Sequence, residues 1–335
     1  MKLRKMSKKD IETEKFFQAQ KDLTTRYFKE VVKPLLPKAE CGGAFLDGGH
    51  QLHSVNMAPQ LNNGYIKSSN YEYRRRELKF VHYTNVKSAK SILNSAIMRM
   101  YSLSSMLDPQ ELSFALQDVI PTKTTGTIDE YKQSLFTLSM NEFQKEEEEK
   151  DIWLDYGDSG KGVGLVLSFD KEESALWNQH YISKIKYREK DLNGLKKFHQ
   201  RHTVLADSTH LQIQGQVKNF LLPLAAFHKT KGFKNEREVR LLVINKDSLL
   251  NIEKSQYEPI IVEKAENKIT KSYIELLLNP KNKEDYKGLR PIPKIEKIIL
   301  GPKLIGIAEI KEELKKLAKE GLGYDVEVIK SKILI

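Results

Sequence analysis

Phe233-Lys-Asn-Glu236-Arg-Glu238-Val-Arg240-Leu-Leu-Val243 closes on an apolar, partly β-branched run that continues to Ile244. Such a run predicts a strand over Glu238–Ile244. Carried two residues upstream, its period of two puts Glu236, Glu238 and Arg240 on one face and Arg237, Val239 and Leu241 on the other. Two carboxylates and a guanidinium beside an apolar strand suit a cleft that carries chemistry. They suit equally a solvated face held by an ion pair. Outward from this segment, further strands are predicted at Leu78–Tyr83, Leu135–Ser139, Val163–Phe169, Tyr181–Tyr187, Ile260–Val262, Ile295–Leu300 and Val326–Ile329. Helical patterns fall at about 86–93, 108–118, 142–154, 208–228 and 306–319. In the last, Ile310, Leu314 and Leu317 share a face, and Gly321 is expected to stop the helix. Strands and helices mix without regular βαβ alternation, which makes the class α+β.

The chain has 335 residues, 39% hydrophobic and 30% charged, enough to bury a core and to dissolve it. That composition excludes collagen-like and wholly disordered chains. No apolar run reaches the ~18 residues of a spanning helix, and no signal-peptide pattern follows the basic start, so a cytoplasmic protein is expected. A lone Cys41 excludes an internal disulfide framework. The net charge is +11, and residues 1–40 hold 11 Lys/Arg against 6 Asp/Glu. Phe16, Leu23, Tyr27, Val31 and Leu35 predict an amphipathic helix ending near Lys33, before Pro34 and Pro37. From Cys41 to about Asn70 the sequence is rich in Gly, Asn and Ser and is read as loop. Residues 1–77 are therefore expected to form a basic helical extension with a loop, and 78–335 the main domain.

Several attractive motifs fail. In Gly157-Asp-Ser-Gly160-Lys161-Gly162, Asp155 stands where a P-loop needs its first glycine and Gly162 where it needs a hydroxyl, which leaves a glycine-rich turn. His50/His53 and His199/His202 have an H-x-x-H spacing without the carboxylate of a zinc-protease helix, and no metal is expected. No G-x-G-x-x-G follows a first strand. A metal-dependent nucleic-acid enzyme would have to gather Asp155, Asp158, Glu236 and Glu238. The run Arg74-Arg75-Arg76, with the basic N-terminus, is a candidate contact for nucleic acid or another acidic partner.

Four segments remain. His82 and Thr84 of Phe80-Val-His82-Tyr83-Thr84 share one strand face and can hydrogen-bond a ribose diol. Leu107-Asp108-Pro109-Gln110-Glu111 reads as a structural turn into a helix. Thr137-Leu-Ser139 is followed by Trp153-Leu-Asp-Tyr156, whose rings would share a helix face, either stacking on a heteroaromatic group or packing under the strand Gly162–Phe169. The fourth is the Glu236–Arg240 strand.

In this order the segments resemble a bacterial family known as domain of unknown function 2971, over roughly residues 78–335. Leu107 replaces the usual Asn before Asp-Pro, and Val239 the usual aromatic. That family is similar in turn to ADP-ribosyltransferases, which implies a split antiparallel or mixed β-sheet core with surrounding helices, binding NAD in a cleft. The resemblance further implies that His82 and Thr84 bind the adenosine-side ribose, with Tyr83 buried or touching ligand. It places Ser139 beside the nicotinamide, with Tyr156 or Trp153 stacking on it. Glu238 would be the catalytic carboxylate and Glu236 its second acid. The expected activity is ADP-ribosyl transfer from NAD to a protein or nucleic acid, as in a toxin, effector or phage-defence enzyme. A catalytically inactive binding module of the same fold is the alternative.

Overall fold

The computed structural model describes residues 8–47, 54–59, 63–106, 110–117, 125–143, 150–209, 212–214, 220–245, 260–263, 270–281 and 283–333. In order, the chain forms α1 (Lys8–Tyr27), β1 (Cys41–Asp47), β2 (Ser54–Pro59), β3 (Leu78–Thr84), α2 (Val86–Ser95), β4 (Ile97–Ser102), α3 (Ser113–Leu116), α4 (Thr125–Ser134) and β5 (Leu135–Glu142). There follow α5 (Lys150–Asp155), β6 (Val163–Phe169), α6 (Lys171–Ser174), β7 (His180–Lys184), α7 (Asn193–Thr209), β8 (Gln212–Gln214), α8 (Leu222–Ala225) and β9 (Glu238–Ile244). The last part comprises β10 (Ile260–Glu263), β11 (Thr270–Leu277), β12 (Lys294–Leu300), α9 (Ile307–Leu322) and β13 (Glu327–Lys330). The class is α+β, and none of the described helices is long and apolar enough to cross a membrane.

Ten strands make one sheet, in the order β10-β11-β4-β5-β3-β6-β12-β13, with β9 on β5 and β7 on β9. β5 is its branch point. β9 runs antiparallel along one edge of β5 from Leu135 to Asn141. The other edge is shared: β4 takes Phe136 and Thr137, and β3 takes Asn141 and Glu142. Between them, at Leu138–Met140, β3 and β4 part and the sheet splits.

Alternation along β9 builds a core on each side. Val239, Leu241 and Val243 join Phe136, Leu138 and Met140 of β5 and the inner faces of α2 and α9. Leu242 and Ile244 join a second cluster with α7, α8 and the N-terminal helix, including Tyr27, Val31, Leu195, Phe198 and Phe220. That cluster crosses the boundary drawn at residue 77 from composition.

Four expectations need correction. The Gly/Asn/Ser-rich stretch is not only loop, since it contains β1 and β2, which form a three-stranded sheet with β8. Among its described residues, the stretch 208–228 holds the end of α7, the strand β8 and the short α8, and the rest of α7 was not foreseen. The buried face of α7 counts His202 beside Leu195, Phe198 and Leu205, so its apolar stripe is thin in the sequence. Gly321 lies inside α9, where a Cβ would come within 1.9 Å of the Leu93 carbonyl oxygen of α2. Its role is close helix approach, and the stop is Gly323, at φ 79°. Finally, the strand begins at Glu238 as expected, but the alternation carried upstream to Glu236 does not hold. Lys231–Glu236 is a 3-10 turn, and Arg237 takes a left-handed conformation at φ 46°. The turn residues Asp108-Pro109 and the pair His50/His53 lie outside the described residues.

Candidate active site

β9 delivers Glu238 and Arg240 on one face, opposite Asn141 and Ser139 of β5 respectively. The alternation that sends Val239 and Leu241 into the core thus turns both charges toward the second layer. Glu238 is nearly sealed from solvent, with a side chain 3% exposed. Its Oε1 accepts from Ser139 Oγ at 2.6 Å and Arg240 Nε at 2.9 Å. Its Oε2 accepts from Lys229 Nζ at 2.7 Å and Arg240 Nη2 at 3.2 Å. A carboxylate has about four acceptor sites, so Glu238 is saturated. Burial pushes its pKa up, but the charges of Arg240 and Lys229 outweigh burial and hold it at about 2 instead of 4.5.

Arg240 is entirely buried and joins two carboxylates, Glu238 and Glu111, while Nη1 donates to the Ala226 carbonyl at 2.6 Å. Burial opposes its charge, and Glu111 and Glu238 overcome that opposition. Lys229 bridges Glu238 and Glu236, 2.7 Å from each. Burial disfavours its ammonium too, yet Glu238 foremost among the carboxylates raises its pKa.

Glu236 reaches this cluster by a route the alternation rule did not foresee. The left-handed Arg237 interrupts the strand, and the Glu236 carbonyl accepts Asn141 Nδ2 at 2.5 Å. Its carboxylate accepts Tyr156 OH on Oε1 and Lys229 on Oε2. One bond to each oxygen leaves it acceptor capacity that Glu238 lacks. Tyr156 is 45% exposed, and its phenol is held protonated by burial and by Glu236.

At the split, His82 Nδ1 donates to the Ser139 carbonyl at 3.0 Å. Burial lowers the His82 pKa, partly countered by this bond. A groove of about 250 Å³ continues from His82 and Thr84 over Ser88, Ser91 and Ser95 of α2 toward Arg99 and Tyr101 of β4. Hydrogen bonds and ion pairs link His82 through Ser139 to Glu238, Lys229, Glu236 and Tyr156, and Thr84 shares the groove with His82.

Two of the ring candidates lie elsewhere. Trp153 is completely buried and meets Tyr83 edge to face at 4.8 Å, in an apolar layer with Val81, Val166 and Ile299. That layer is on the face of β3 opposite His82 and Thr84, and both rings pack there. Arg74, Arg75 and Arg76 are exposed. Arg74 pairs with Glu72 and Arg75 with Glu142, so two of the three already neutralise carboxylates. Among the described residues no three His, Cys, Asp or Glu side chains group to hold a metal, and Asp155 and Asp158 do not join Glu236 and Glu238 in such a set.

Glu111 and Lys229 complete the cluster without having been foreseen as functional. Glu111 belongs to the Asp-Pro turn segment, where its spacing signalled only a helix start. Lys229 follows α8 with no periodic or motif signal.

The molecule is thus an α+β protein with a buried five-charge cluster beside a split in its sheet. Residues 152–241, which include Tyr156, Lys229, Glu236, Glu238 and Arg240, match a family model described as protein of unknown function (DUF2971). Comparisons with curated proteins and with solved structures returned no match.

Proposed function

We propose that this protein is an NAD-consuming ADP-ribosyltransferase that passes ADP-ribose to a protein or nucleic-acid acceptor. One observation carries the reading: a single polar path links His82, Ser139, Glu238, Lys229, Glu236 and Tyr156, drawn from distant parts of the chain. NAD would lie across the split, its ribose near His82 and Thr84 and its nicotinamide near Ser139. Breaking the bond from ribose C1′ to the pyridinium nitrogen builds oxocarbenium character, and nicotinamide leaves with the bonding pair. A fixed carboxylate stabilises that charge more in the transition state than in the ground state.

In this reading the two acids do different work. Glu238, saturated, fixes Lys229 and Ser139 and supplies constant negative charge. Glu236, with open acceptor sites, meets the ribose hydroxyl or takes the acceptor's proton as the acceptor oxygen or nitrogen bonds to C1′. Water in place of the acceptor gives NAD hydrolysis. The saturation of Glu238 also favours a second reading, a binding module that holds ligand without turnover.

Nicotinamide release from NAD by wild type, Glu236→Gln and Ser139→Ala, with and without nucleic acid or cell extract, tests both. Release that falls by about 100-fold or more in Glu236→Gln is expected for the transferase. NAD binding without release selects the binding module. A folded protein that neither binds nor cleaves NAD overturns both.

A further inference from the structure

Tyr156 meets Glu236 as an acceptor hydroxyl would. Its phenolic O–H donates to Glu236 Oε1, while Lys229 Nζ holds Oε2 at 2.7 Å. The contact lies at the surface: Tyr156 is 45% exposed, and the Glu236 side chain keeps 14% exposure against 3% for Glu238. The chain fixes the ring in this place. The Tyr156 N–H bonds the Ile152 carbonyl at 2.9 Å, closing the last turn of α5, and Trp153 in that turn is wholly buried. At Gly157 a Cβ would come within 2.4 Å of the Trp153 ring, so the backbone passes directly over it. Burial and Glu236 keep the phenol protonated, so attack by its oxygen needs a base, and Glu236 is already in hydrogen-bond contact. The other nucleophilic groups of the cluster are placed differently. Ser139 donates to Glu238, whose acceptor sites are filled and whose pKa of about 2 makes it a weak base. Lys229 is kept an ammonium by the carboxylates around it and has no lone pair to offer.

We infer that the protein ADP-ribosylates itself on Tyr156 when NAD is bound and no other acceptor occupies the site. The inference rests on the NAD-cleaving reading above. The bond from ribose C1′ to the pyridinium nitrogen breaks, and nicotinamide leaves with the bonding pair. The Tyr156 oxygen bonds to C1′, and its proton passes to Glu236. A phenol held on its base by the fold has the advantage of an intramolecular reactant over a dissolved acceptor.

The test incubates the full-length protein, its fold checked by circular dichroism, with NAD and no added acceptor. Released nicotinamide is measured, and the protein is mapped by peptide mass spectrometry. The Tyr156 peptide should gain the mass of one ADP-ribosyl group, at a rate per molecule that does not change on dilution. The adduct should withstand neutral hydroxylamine, which strips ADP-ribose from a carboxylate ester and so separates Tyr156 from Glu236 as its carrier. Tyr156→Phe should lose the adduct from this peptide. Nicotinamide release without an adduct on Tyr156 overturns the inference and leaves the NAD-cleaving reading standing. Absence of both overturns the two together. An adduct that forms equally from free ADP-ribose, or at a rate per molecule that rises with protein concentration, also overturns self-modification within one chain.

Discussion

Replacing Glu238 by glutamine keeps the side chain's shape and removes one charge from between Arg240 and Lys229. Two routes give the cost. The carboxyl is held at about 2 in the folded protein against 4.5 ordinarily, a difference worth roughly 3 kcal/mol at neutral pH. Removing one partner of a buried ion pair costs about 3–5 kcal/mol by general experience. The Glu238 side chain is 3% exposed, so solvent screening takes little from either figure. Because the folded pKa is depressed, the stabilisation is complete above pH 4.5 and is lost as pH falls toward 2. Urea unfolding of wild type and Glu238→Gln, followed by circular dichroism, should therefore differ by about 3 kcal/mol at pH 7 and at pH 5.5. The gap should narrow between pH 4.5 and pH 2.5 as the carboxyl of the unfolded wild-type chain takes up its proton while the folded one stays charged. A gap under about 1 kcal/mol at pH 7, or one that does not change down to pH 2.5, would refute the account of Glu238 as a charge clamped by two cations.

Gly321→Ala should destabilise by about 1–3 kcal/mol in the same assay, because its methyl meets the Leu93 carbonyl; at an open helix position alanine would instead gain about 1 kcal/mol. Arg237→Gly should be less destabilising than Arg237→Val, since the position is left-handed. His202 is buried against Tyr27, and burial first, then His199, lowers its pKa to about 4. A lowered base favours proton uptake by the unfolded chain, so His202 draws stability down as pH falls from 6.5 to about 4. His202→Gln should flatten that part of the stability–pH curve relative to wild type, and an unchanged slope would remove His202 from the account.

Much of the sheet was legible because its strands are apolar runs with clear edges: Val163–Phe169 and Glu238–Ile244 form as the sequence predicts. β4, Ile-Met-Arg-Met-Tyr-Ser, was missed because it directly follows α2 and carries an exposed Arg99 between two methionines. The meeting of Glu236 with Glu238 was foreseen for the wrong reason. The period of two assumes continuous extended backbone, whereas a left-handed residue separates the acids and Lys229 draws them together. Trp153 and Tyr156 show the limit of spacing in another way. Three residues apart on a helical turn, one sinks into the layer under Tyr83 and the other reaches Glu236. Periodicity shows which residues share a side of an element, but not how deep that side lies.

The position of the cluster follows from the branching of β5. A residue in an antiparallel strand points its N–H and C=O to the same edge, and neighbouring residues alternate. The Ser139 carbonyl faces the edge that β3 and β4 share, in the interval where neither supplies a ladder partner. An unpaired carbonyl inside a sheet is costly, and His82 satisfies it from the last turnings of β3 before that strand departs. The same residue's hydroxyl turns toward β9 and fixes Glu238. Ser139 thus joins the opening in the sheet to its buried charge with its main chain on one side and its side chain on the other. Ser139→Ala removes only the second link: it should spare the His82 contact and the fold while freeing one acceptor site on Glu238. Ser139→Pro, which lacks the hydroxyl as alanine does, would in addition distort β5 and destabilise the sheet. Nicotinamide release that responds to alanine without a change in unfolding midpoint would assign the hydroxyl to chemistry, whereas equal losses of stability and activity would assign it to structure.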